Sequence, residues 1–210
     1  LEALETIEPR DETEQAPLRF PVQLVVRPGA GSDFRGYAGR IESGVLVRGA
    51  EVLVLPAGQR TAVRDITAFS GSKKIAVAGD AVTLLLRDEI DISRGDMFVD
   101  AEHSPRIDKN IVATICWLAV EPMRSASRYL LKHTTRTVKA KLAAINYLVD
   151  IQTLDPQPPP VALAMNDIAQ IKLELQHPVF ADSYRVNRAT GAFILIDEVT
   201  NQTVAAGMIE

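Results

Sequence analysis

Residues 88–96 read Asp-Glu-Ile-Asp-Ile-Ser-Arg-Gly-Asp and directly follow an apolar stretch at residues 81–87. Ile90 and Ile92 alternate with acidic residues, so the isoleucines are predicted to face a core and at least two of the acids to face water. The Arg-Gly-Asp triplet has the composition of a turn, because glycine permits tight bends and aspartate accepts hydrogen bonds from nearby backbone N–H groups. The stretch therefore predicts a polar turn between two short strands.

A second stretch of this kind lies upstream, at residues 33–44. It reads Asp-Phe-Arg-Gly-Tyr-Ala-Gly-Arg-Ile-Glu-Ser-Gly, the pattern of a strand that bends at glycines and then turns back. Further strands are predicted around these two stretches, with Gly and Pro turns between them, and the set covers residues 20–26, 37–42, 45–47, 51–55, 61–69, 81–87 and 97–99. Short strands at this spacing are typical of a small closed β-barrel, whose closure removes exposed sheet edges.

Ser104 and Pro105 mark a boundary, after which a second set of strands is predicted. This set covers residues 110–118, 129–132, 137–151, 168–175, 192–196 and 204–208. Residues 156–160 contain four prolines and predict a stiff surface loop, and residues 187–191 predict a hairpin or loop turn. No long helical pattern interrupts either set. We therefore predict an all-β chain of two consecutive small β-barrels, at residues 17–104 and 105–210.

The first sixteen residues differ from the rest in composition. Leu1, Leu4 and Ile7 recur every three residues and Pro9 follows, which predicts a short amphipathic helix. So short a helix is unstable alone, so we expect residues 1–16 to be the end of an upstream helix followed by an acidic linker. Residues 1–16 carry a net charge of −5, whereas the whole chain carries −4. Residues 17–210 therefore have a net charge of +1. Because residues 17–210 are nearly neutral, their net charge does not favour general binding to nucleic acids.

Cys116 is the only cysteine, so an intrachain disulfide is excluded. Its neighbours Ile115 and Trp117 indicate an apolar strand and predict a buried, inert thiol, which suits a reducing compartment. The sequence has no apolar run long enough to cross a membrane and no signal-peptide pattern at residue 1. We therefore expect a cytoplasmic location.

The order of helix end, acidic linker, barrel and barrel resembles the second and third domains of translation-type GTPases, together with the link that precedes them. The segments that carry the resemblance are residues 20–23, 34–39, 78–82 and 94–96 in the first barrel, and residues 191–197 and 203–209 at the end of the second. The sequences of residues 88–96 and 201–209 resemble those found in one branch of this superfamily. That branch is the large, GTP-binding subunit of sulfate adenylyltransferase.

This resemblance implies that the parent protein pairs with a smaller, ATP-handling subunit. Together they would make adenylyl sulfate and pyrophosphate from ATP and sulfate, a step in sulfate assimilation that GTP hydrolysis drives. The chain has no Gly-x-x-x-x-Gly-Lys-Ser/Thr segment, so GTP and magnesium are expected on a GTPase domain outside this sequence. The barrels would then be a non-catalytic region, inactive alone, that couples GTP hydrolysis to the partner subunit. In some relatives an adenylyl-sulfate kinase domain follows the second barrel. The chain is therefore also compatible with being the middle region of a bifunctional enzyme.

Two other interpretations stay open on the sequence. Elongation factors share the layout, and their barrels bind tRNA or the ribosome. The sequence of residues 88–96 and the near-neutral charge argue against this function. A stand-alone β-barrel adaptor is the other alternative, and the truncated helix pattern at residues 1–7 argues against it.

A basic run lies between Glu121 and Asp150, where no acidic residue occurs. Its members are Arg124, Arg128, Lys132, His133, Arg136, Lys139 and Lys141. The functional interpretation of this run is a possible docking surface for the partner subunit, the GTPase domain or an anionic ligand, because opposite potentials speed encounter and fix register. A solvated barrel face is the simpler interpretation, and the sequence alone favours it. The only aromatic residues nearby are Tyr129 and Tyr147, which gives weak support for stacking on RNA.

No catalytic, cofactor-binding or metal-ligating residue is predicted. The acids of residues 88–96 are interpreted as parts of a turn rather than as catalytic carboxylates. His103, His133 and His177 are scattered, with no i, i+4 pair and no second cysteine to complete a zinc site. Residues 125–127, Ser-Ala-Ser, belong to no recognisable nucleophile motif.

Overall fold

The computed structural model describes residues 14–27, 35–123 and 127–210. The predicted helix end at residues 1–7, most of the acidic linker and the predicted docking residue Arg124 lie outside the described residues.

The first barrel is built from short antiparallel strands. They are β1 (Arg19–Val26), β2 (Gly36–Arg40), β3 (Val45–Val47), β4 (Glu51–Leu55), β5 (Gln59–Ala68), β6 (Gly71–Lys73), β7 (Ile75–Val77), β8 (Ala81–Leu86) and β9 (Met97–Val99). Hydrogen bonds order six of them as β4-β9-β1-β2-β8-β5, and β5 pairs back with β4, so the sheet closes on itself. β6 extends β5, and β3 pairs with β7 as a separate ribbon.

Aromatic side chains fill the centre of the first barrel. Phe20 and Phe98 are fully buried and their ring centroids lie 5.8 Å apart. Tyr37 meets Phe98 edge-on at 5.7 Å, and its hydroxyl donates to the carbonyl oxygen of Ile90 at 2.9 Å. This bond satisfies the buried tyrosine hydroxyl and fixes the start of the link between β8 and β9 to the core.

The link at residues 88–96 has the predicted arrangement. Ile90 and Ile92 are buried, whereas Asp88, Glu89 and Asp91 are exposed. The backbone N–H of Ser93 donates to Asp96 Oδ2 at 2.8 Å, and Gly95 adopts a φ of +95°, a conformation that favours glycine. The prediction of a turn held by local side-chain hydrogen bonds is confirmed.

The second barrel contains the longest strands of the described chain and a short helix. The elements are β10 (Arg106–Trp117), β11 (Arg128–His133), β12 (Arg136–Val149), β13 (Pro156–Gln157), β14 (Ile168–Ala181), α1 (Arg188–Gly191), β15 (Ala192–Asp197) and β16 (Thr203–Ile209). The ring runs β11-β15-β16-β10-β14-β12, and β12 pairs back with β11. The prediction of an all-β chain with two consecutive small barrels is therefore confirmed.

The second core is packed around Trp117, whose ring meets Tyr129 edge-on at 5.7 Å. The indole N–H donates to the carbonyl oxygen of Glu121 at 2.8 Å. Opposite them, the ring of Phe193 lies against Gly207, where a Cβ atom would come within 2.3 Å of the ring. The Phe193 ring can therefore lie over β16 in this position only because residue 207 has no side chain.

Three local predictions are wrong. The proline-rich residues 156–160 are not a loop throughout, because Pro156–Gln157 forms β13 at the sheet edge, where a missing N–H is tolerated. Residues 187–191 form α1, capped by Asn187, instead of a turn. Cys116 is half-buried rather than buried, because Ile115 and Trp117 point into the core and the residue between them points outward.

Candidate functional site

The basic run lies mainly on the β11–β12 hairpin, and strand alternation divides it between two faces. Arg128 pairs across the strands with Lys141, and Lys132 pairs with Thr137. Side chains of directly opposite residues share a face, and exposure confirms that these side chains face outward. We call the exposed residues Arg128, Lys132, Lys139 and Lys141 the outer basic face.

Acidic residues on the neighbouring strands partly neutralise the outer basic face. Lys139 Nζ lies 2.6 Å from Glu198 Oε1, at the end of β15. Lys141 pairs in register with Glu174 of β14. Arg128, Lys139, Lys141 and Glu174 line a depression of about 380 Å³. Its cations outnumber its acids, so the depression suits an anionic or mixed-charge partner surface.

Two of the predicted docking residues do not belong to this face. His133 is 1% exposed and points into the second barrel, because it continues the buried alternation of Tyr129 and Leu131. Arg136 points towards the first barrel instead of outward. Arg124 lies outside the described residues, so Arg128, Lys132 and Lys139 are the predicted docking residues that the structure places together on the outside.

Arg136 contacts the turn that precedes β9. Its Nη1 donates to the carbonyl oxygen of Gly95 at 3.3 Å and lies 3.8 Å from Asp96 Oδ1. Its guanidinium carbon is 4.9 Å from the centroid of the Phe180 ring. Burial raises the pKa of the Asp96 carboxyl and lowers the pKa of Arg136, which the opposite charges partly offset. Arg136 therefore joins the barrels at the Arg-Gly-Asp turn.

A buried ion pair forms a second contact between the barrels. Arg19 on β1 makes a bidentate pair with Asp182, which follows β14, with Nε–Oδ2 and Nη2–Oδ1 distances of 2.8 and 2.9 Å. The other terminal nitrogen of Arg19 donates to the carbonyl oxygens of Leu18 and His103. Burial alone would raise the pKa of Asp182, but the hydrogen bonds from Arg19 and Thr190 outweigh it and hold that pKa below its ordinary value. Asp182 is therefore ionised and fully paired.

Helix α1 connects this ion pair to the interior of the second barrel. The Thr190 hydroxyl donates to Asp182 Oδ2 at 2.6 Å, and the Thr190 carbonyl oxygen accepts from His133 Nε2 at 2.7 Å. Because a carbonyl only accepts, the proton of the neutral imidazole is assigned to Nε2. Burial lowers the pKa of His133, against the opposing effects of this hydrogen bond and of Asp182. His133 is therefore a neutral structural group rather than a surface cation.

The cap of α1 also reaches the first barrel. Asn187 Oδ1 accepts from the backbone N–H groups of Ala189 and Thr190, and its Nδ2 donates to Ser43 Oγ at 2.8 Å. The Ser43 hydroxyl in turn donates to the carbonyl oxygen of Pro17 at 2.7 Å. One side chain thus starts a helix in one barrel and binds the other barrel.

Apolar residues complete this contact. Phe180 of β14 is 1% exposed and packs in a small cluster with Leu55, Met97 and Val99 of the first barrel. We use the name barrel contact for Phe180, Asp182, Asn187 and Arg136 together with the first-barrel groups that they touch. The barrel contact combines apolar packing with a bidentate ion pair, which is chemistry suited to holding two domains in one orientation.

Sequence reasoning missed the barrel contact. A partial signal existed, since Arg19 stands between Leu18 and Phe20, and Asp182 directly follows the apolar residues 179–181. A charge embedded in an apolar run indicates burial with a partner. The partner itself could not be identified, because these two residues are separated by 163 positions along the chain.

Within the described residues, no group of three or more His, Cys, Asp and Glu side chains is placed to hold a metal ion. In the same part of the chain, no helix has the length and apolar character needed to cross a membrane.

Two family models match the chain. "Elongation factor Tu domain 2" matches residues 37–99, and "GTP-eEF1A C-terminal domain-like" matches residues 110–210. Among solved structures, Sup35 complexed with GMPPNP has a TM-score of 0.85 at 21% identity, with 99% of this chain and 50% of that chain covered. Elongation factor SelB from Methanococcus maripaludis has a TM-score of 0.75 at 22% identity, with 100% and 45% covered. The chain consists of the two β-barrel domains of the translation-type GTPase superfamily.

Within that superfamily, proteins named sulfate adenylyltransferase subunit 1 match the chain over its whole length. It is 39% identical over 209 residues to "Sulfate adenylyltransferase subunit 1" of Bacteroides fragilis, covering 100% of this chain and 43% of that protein. It is 43% identical over 206 residues to "Bifunctional enzyme CysN/CysC" of Rhodopirellula baltica, covering 98% of this chain and 31% of that protein. The chain thus spans less than half the length of these relatives, and the family resemblance seen in residues 88–96 and 201–209 is confirmed.

Proposed function

We propose that the chain is the non-catalytic barrel region of the GTP-regulated subunit of a sulfate adenylyltransferase. The parent enzyme would convert ATP and sulfate to adenylyl sulfate and pyrophosphate in the cytoplasm. The observation that carries this proposal is similarity over the whole chain to proteins named sulfate adenylyltransferase subunit 1, at 39–41% identity. GTP and magnesium would bind a preceding GTPase domain, and a kinase domain would follow if the parent is bifunctional, as in the relatives named CysN/CysC.

We propose further that the barrels transmit a nucleotide-dependent movement to the partner ATP-handling subunit. Such coupling requires that the GTP and GDP states favour different positions of the barrels relative to the catalytic partner. The barrel contact supports this role, because a buried bidentate ion pair and the Phe180 cluster resist relative motion of the two barrels. Two barrels that move as one body would carry a displacement at one end to a surface at the other.

The test of the enzyme assignment is pyrophosphate release by the full-length parent with its co-purifying partner. ATP and sulfate are supplied with and without GTP. Sulfate-dependent release that GTP stimulates is the expected result. If release is independent of sulfate and GTP hydrolysis responds to ribosomes instead, the enzyme assignment is wrong and the barrels belong to a translation factor.

The outer basic face is the proposed docking surface for an acidic surface of the partner subunit. Its exposed cations Arg128 and Lys132 have no ion-pair partner closer than 4.0 Å within the described residues, and Lys139 pairs with Glu198. Rim charges of this kind act mainly on the rate of association and its dependence on salt.

Charge reversal tests this docking surface directly. We expect Arg128→Glu together with Lys132→Glu to slow association of the two subunits about tenfold or more at low salt, with a smaller difference at high salt. Lys74→Glu together with Lys109→Glu is the matched control, because both lysines are exposed and lie outside the outer basic face. Equal association rates for the two double variants, measured by surface plasmon resonance, would contradict the proposed docking surface.

A further inference from the structure

A cleft between the two barrels carries hydrogen-bond donors that are suited to an acceptor-rich ligand. Its volume is about 460 Å³. Arg94 and Asp96 line it from the first barrel, and Thr135, Arg136, Thr137, Val138 and His177 line it from the second. This volume lies within the range of small-molecule sites. None of the four residues of the outer basic face lines the cleft.

Two residues that line the cleft, Thr135 and Arg136, each carry a buried donor without a hydrogen-bond partner among the described residues. Arg136 is fixed by its Nη1 bond to the Gly95 carbonyl oxygen and by its position over the Phe180 ring. Its Nε and the Thr135 hydroxyl oxygen are buried and have no hydrogen-bond partner among the described residues. Buried donors without acceptors are rare in folded proteins because they cost free energy. Both atoms would be satisfied by one ligand with several acceptor oxygens.

The rim of the cleft adds charge and further donors. Arg94 Nη1 donates to the carbonyl oxygen of Gln23 at 2.8 Å, which holds the guanidinium beside the cleft. Thr137 and His177 are exposed at the opening. Two arginines against the single carboxylate of Asp96 give a positive balance, so the lining favours an oxyanion over a cation or a neutral ligand.

Asp96 restricts which oxyanion fits. Its Oδ2 accepts from the Ser93 backbone N–H, and its Oδ1 lies 3.8 Å from Arg136 Nη1. A carboxylate in this position repels an oxyanion that carries no hydrogen, such as sulfate. Inorganic hydrogen phosphate keeps at least one O–H near neutral pH, which can donate to the carboxylate, whereas a phosphate monoester with its second pKa of about 6 has mostly lost it.

We propose that the cleft between the barrels binds inorganic hydrogen phosphate, with Arg94, Thr135 and Arg136 as donors and Asp96 as the acceptor of the phosphate hydrogen. Binding would bridge the Arg94–Asp96 turn of one barrel and the β11–β12 turn of the other. The ligand would therefore add to the barrel contact, and it would do so whether or not the parent enzyme activates sulfate.

The test follows the side-chain N–H resonance of Arg136 Nε in the 210-residue chain at pH 7. Sodium phosphate, sodium sulfate and adenosine 5′-monophosphate are titrated separately, and isothermal titration calorimetry gives the affinities. We expect a saturable shift with phosphate and binding of the other two at least about tenfold weaker. No saturable shift up to about 50 mM phosphate, or sulfate binding as tight as phosphate binding, would overturn the proposal.

Matched variants assign the binding to this cleft. Thr135→Val and Arg94→Gln should each weaken phosphate binding about tenfold, because each removes a donor to the ligand. Thr203→Val and Arg60→Gln change the same residue types away from the cleft and should bind phosphate as the unmodified chain does. Asp96→Asn should bring sulfate affinity close to phosphate affinity. Unchanged phosphate binding in both Thr135→Val and Arg94→Gln, with backbone spectra showing intact folding, would show that phosphate does not bind in this cleft.

Discussion

Arg19 and Asp182 show how much a single residue pair contributes to joining the two barrels. The side chains of both residues are largely buried, at 4% and 11% exposure, and every carboxylate oxygen of Asp182 has a donor. Removing one member of such a pair leaves the other charged, buried and uncompensated. This lowers stability more than replacing both members by apolar residues would. The pair therefore stabilises the native orientation of the two barrels.

Asp182→Asn should lower the free energy of unfolding by about 3–5 kcal/mol, because Arg19 then keeps its buried charge without a counter-ion. Urea denaturation at pH 7 measures this difference. Asp91→Asn is the control, since Asp91 pairs with Arg35 through a side chain that is 94% exposed and should change stability by less than about 1 kcal/mol. Similar losses in the two variants would show that burial does not distinguish these ion pairs.

His133 makes stability depend on pH. Burial, aided by Arg136, lowers its pKa below the ordinary 6.5, against the Thr190 hydrogen bond and Asp182. Between pH 6.5 and the folded-state pKa, the unfolded chain binds a proton that the folded chain does not, so stability falls as the pH falls through this window. Above pH 6.5 both states are neutral and this effect disappears.

We expect the loss in unfolding free energy from His133 to reach about 1.4 kcal/mol per pH unit at most, since one proton is involved. His133→Gln keeps an N–H donor for the Thr190 carbonyl oxygen but does not titrate, so its stability should be flatter below pH 6.5. His103→Gln, at an exposed histidine, should keep the slope of the unmodified chain. An unchanged slope in His133→Gln, measured by denaturation at several pH values, would contradict this assignment.

The two faces of the β11–β12 hairpin show which residue positions a sequence can predict. Alternation alone puts Tyr129, Leu131 and His133 on one face and Lys132 on the other, so the burial of His133 could have been predicted from the period of two. The inward position of Arg136 could not, because its partners Gly95 and Asp96 belong to another barrel. Contacts between distant segments depend on tertiary packing that no local pattern encodes.

At the scale of elements, α1 is a helix of only four residues that its cap and its tertiary contacts hold in place. Gly191 is required at its end, because a Cβ atom there would lie 2.3 Å from the Cα atom of Tyr184. So short a helix has no stability of its own. It forms because Asn187 bonds both its first N–H groups and Ser43 of the other barrel.

Asn187→Ala should therefore cost about 2 kcal/mol, the sum of a lost cap and a lost buried hydrogen bond. Asn187→Asp keeps the cap acceptor but cannot donate to Ser43, so it should lie between Asn187→Ala and the unmodified chain. Ser43→Ala in the Asn187→Ala background should add less than it does alone, because the two residues share one bond. Strictly additive losses, measured by urea denaturation, would show that Asn187 does not act through Ser43.

The strands were predictable to different degrees for a physical reason. Strands such as β10, β12 and β14 alternate buried and exposed residues over much of their length because one side faces a core, and this period appears in the sequence. β6 and β13 have no buried residue at any position, so they leave no such period. They are held by backbone pairing at the sheet edge, which depends on the neighbouring strand instead of on their own side chains.

At the scale of the whole molecule, the two barrels have separate cores and meet at the barrel contact. Each core is a closed cluster of buried apolar residues, and Phe180 is the second-barrel side chain in the small cluster between them. Together with the Arg19–Asp182 pair, this packing should make the barrels unfold as one cooperative unit. The same contact would hold the barrels in one orientation, which the proposed transmission of movement requires.

Phe180→Ala should separate the unfolding of the two barrels. The variant removes the ring that packs on Leu55, Met97 and Val99, at an expected cost of about 3–5 kcal/mol, and differential scanning calorimetry should then show two transitions in place of one. Phe193→Leu, which reduces a core side chain inside the second barrel, should lower the transition temperature without splitting it. A single transition in Phe180→Ala would mean that the polar bonds of the barrel contact suffice for coupling, and two transitions in Phe193→Leu would mean that the barrels are uncoupled by any loss of stability.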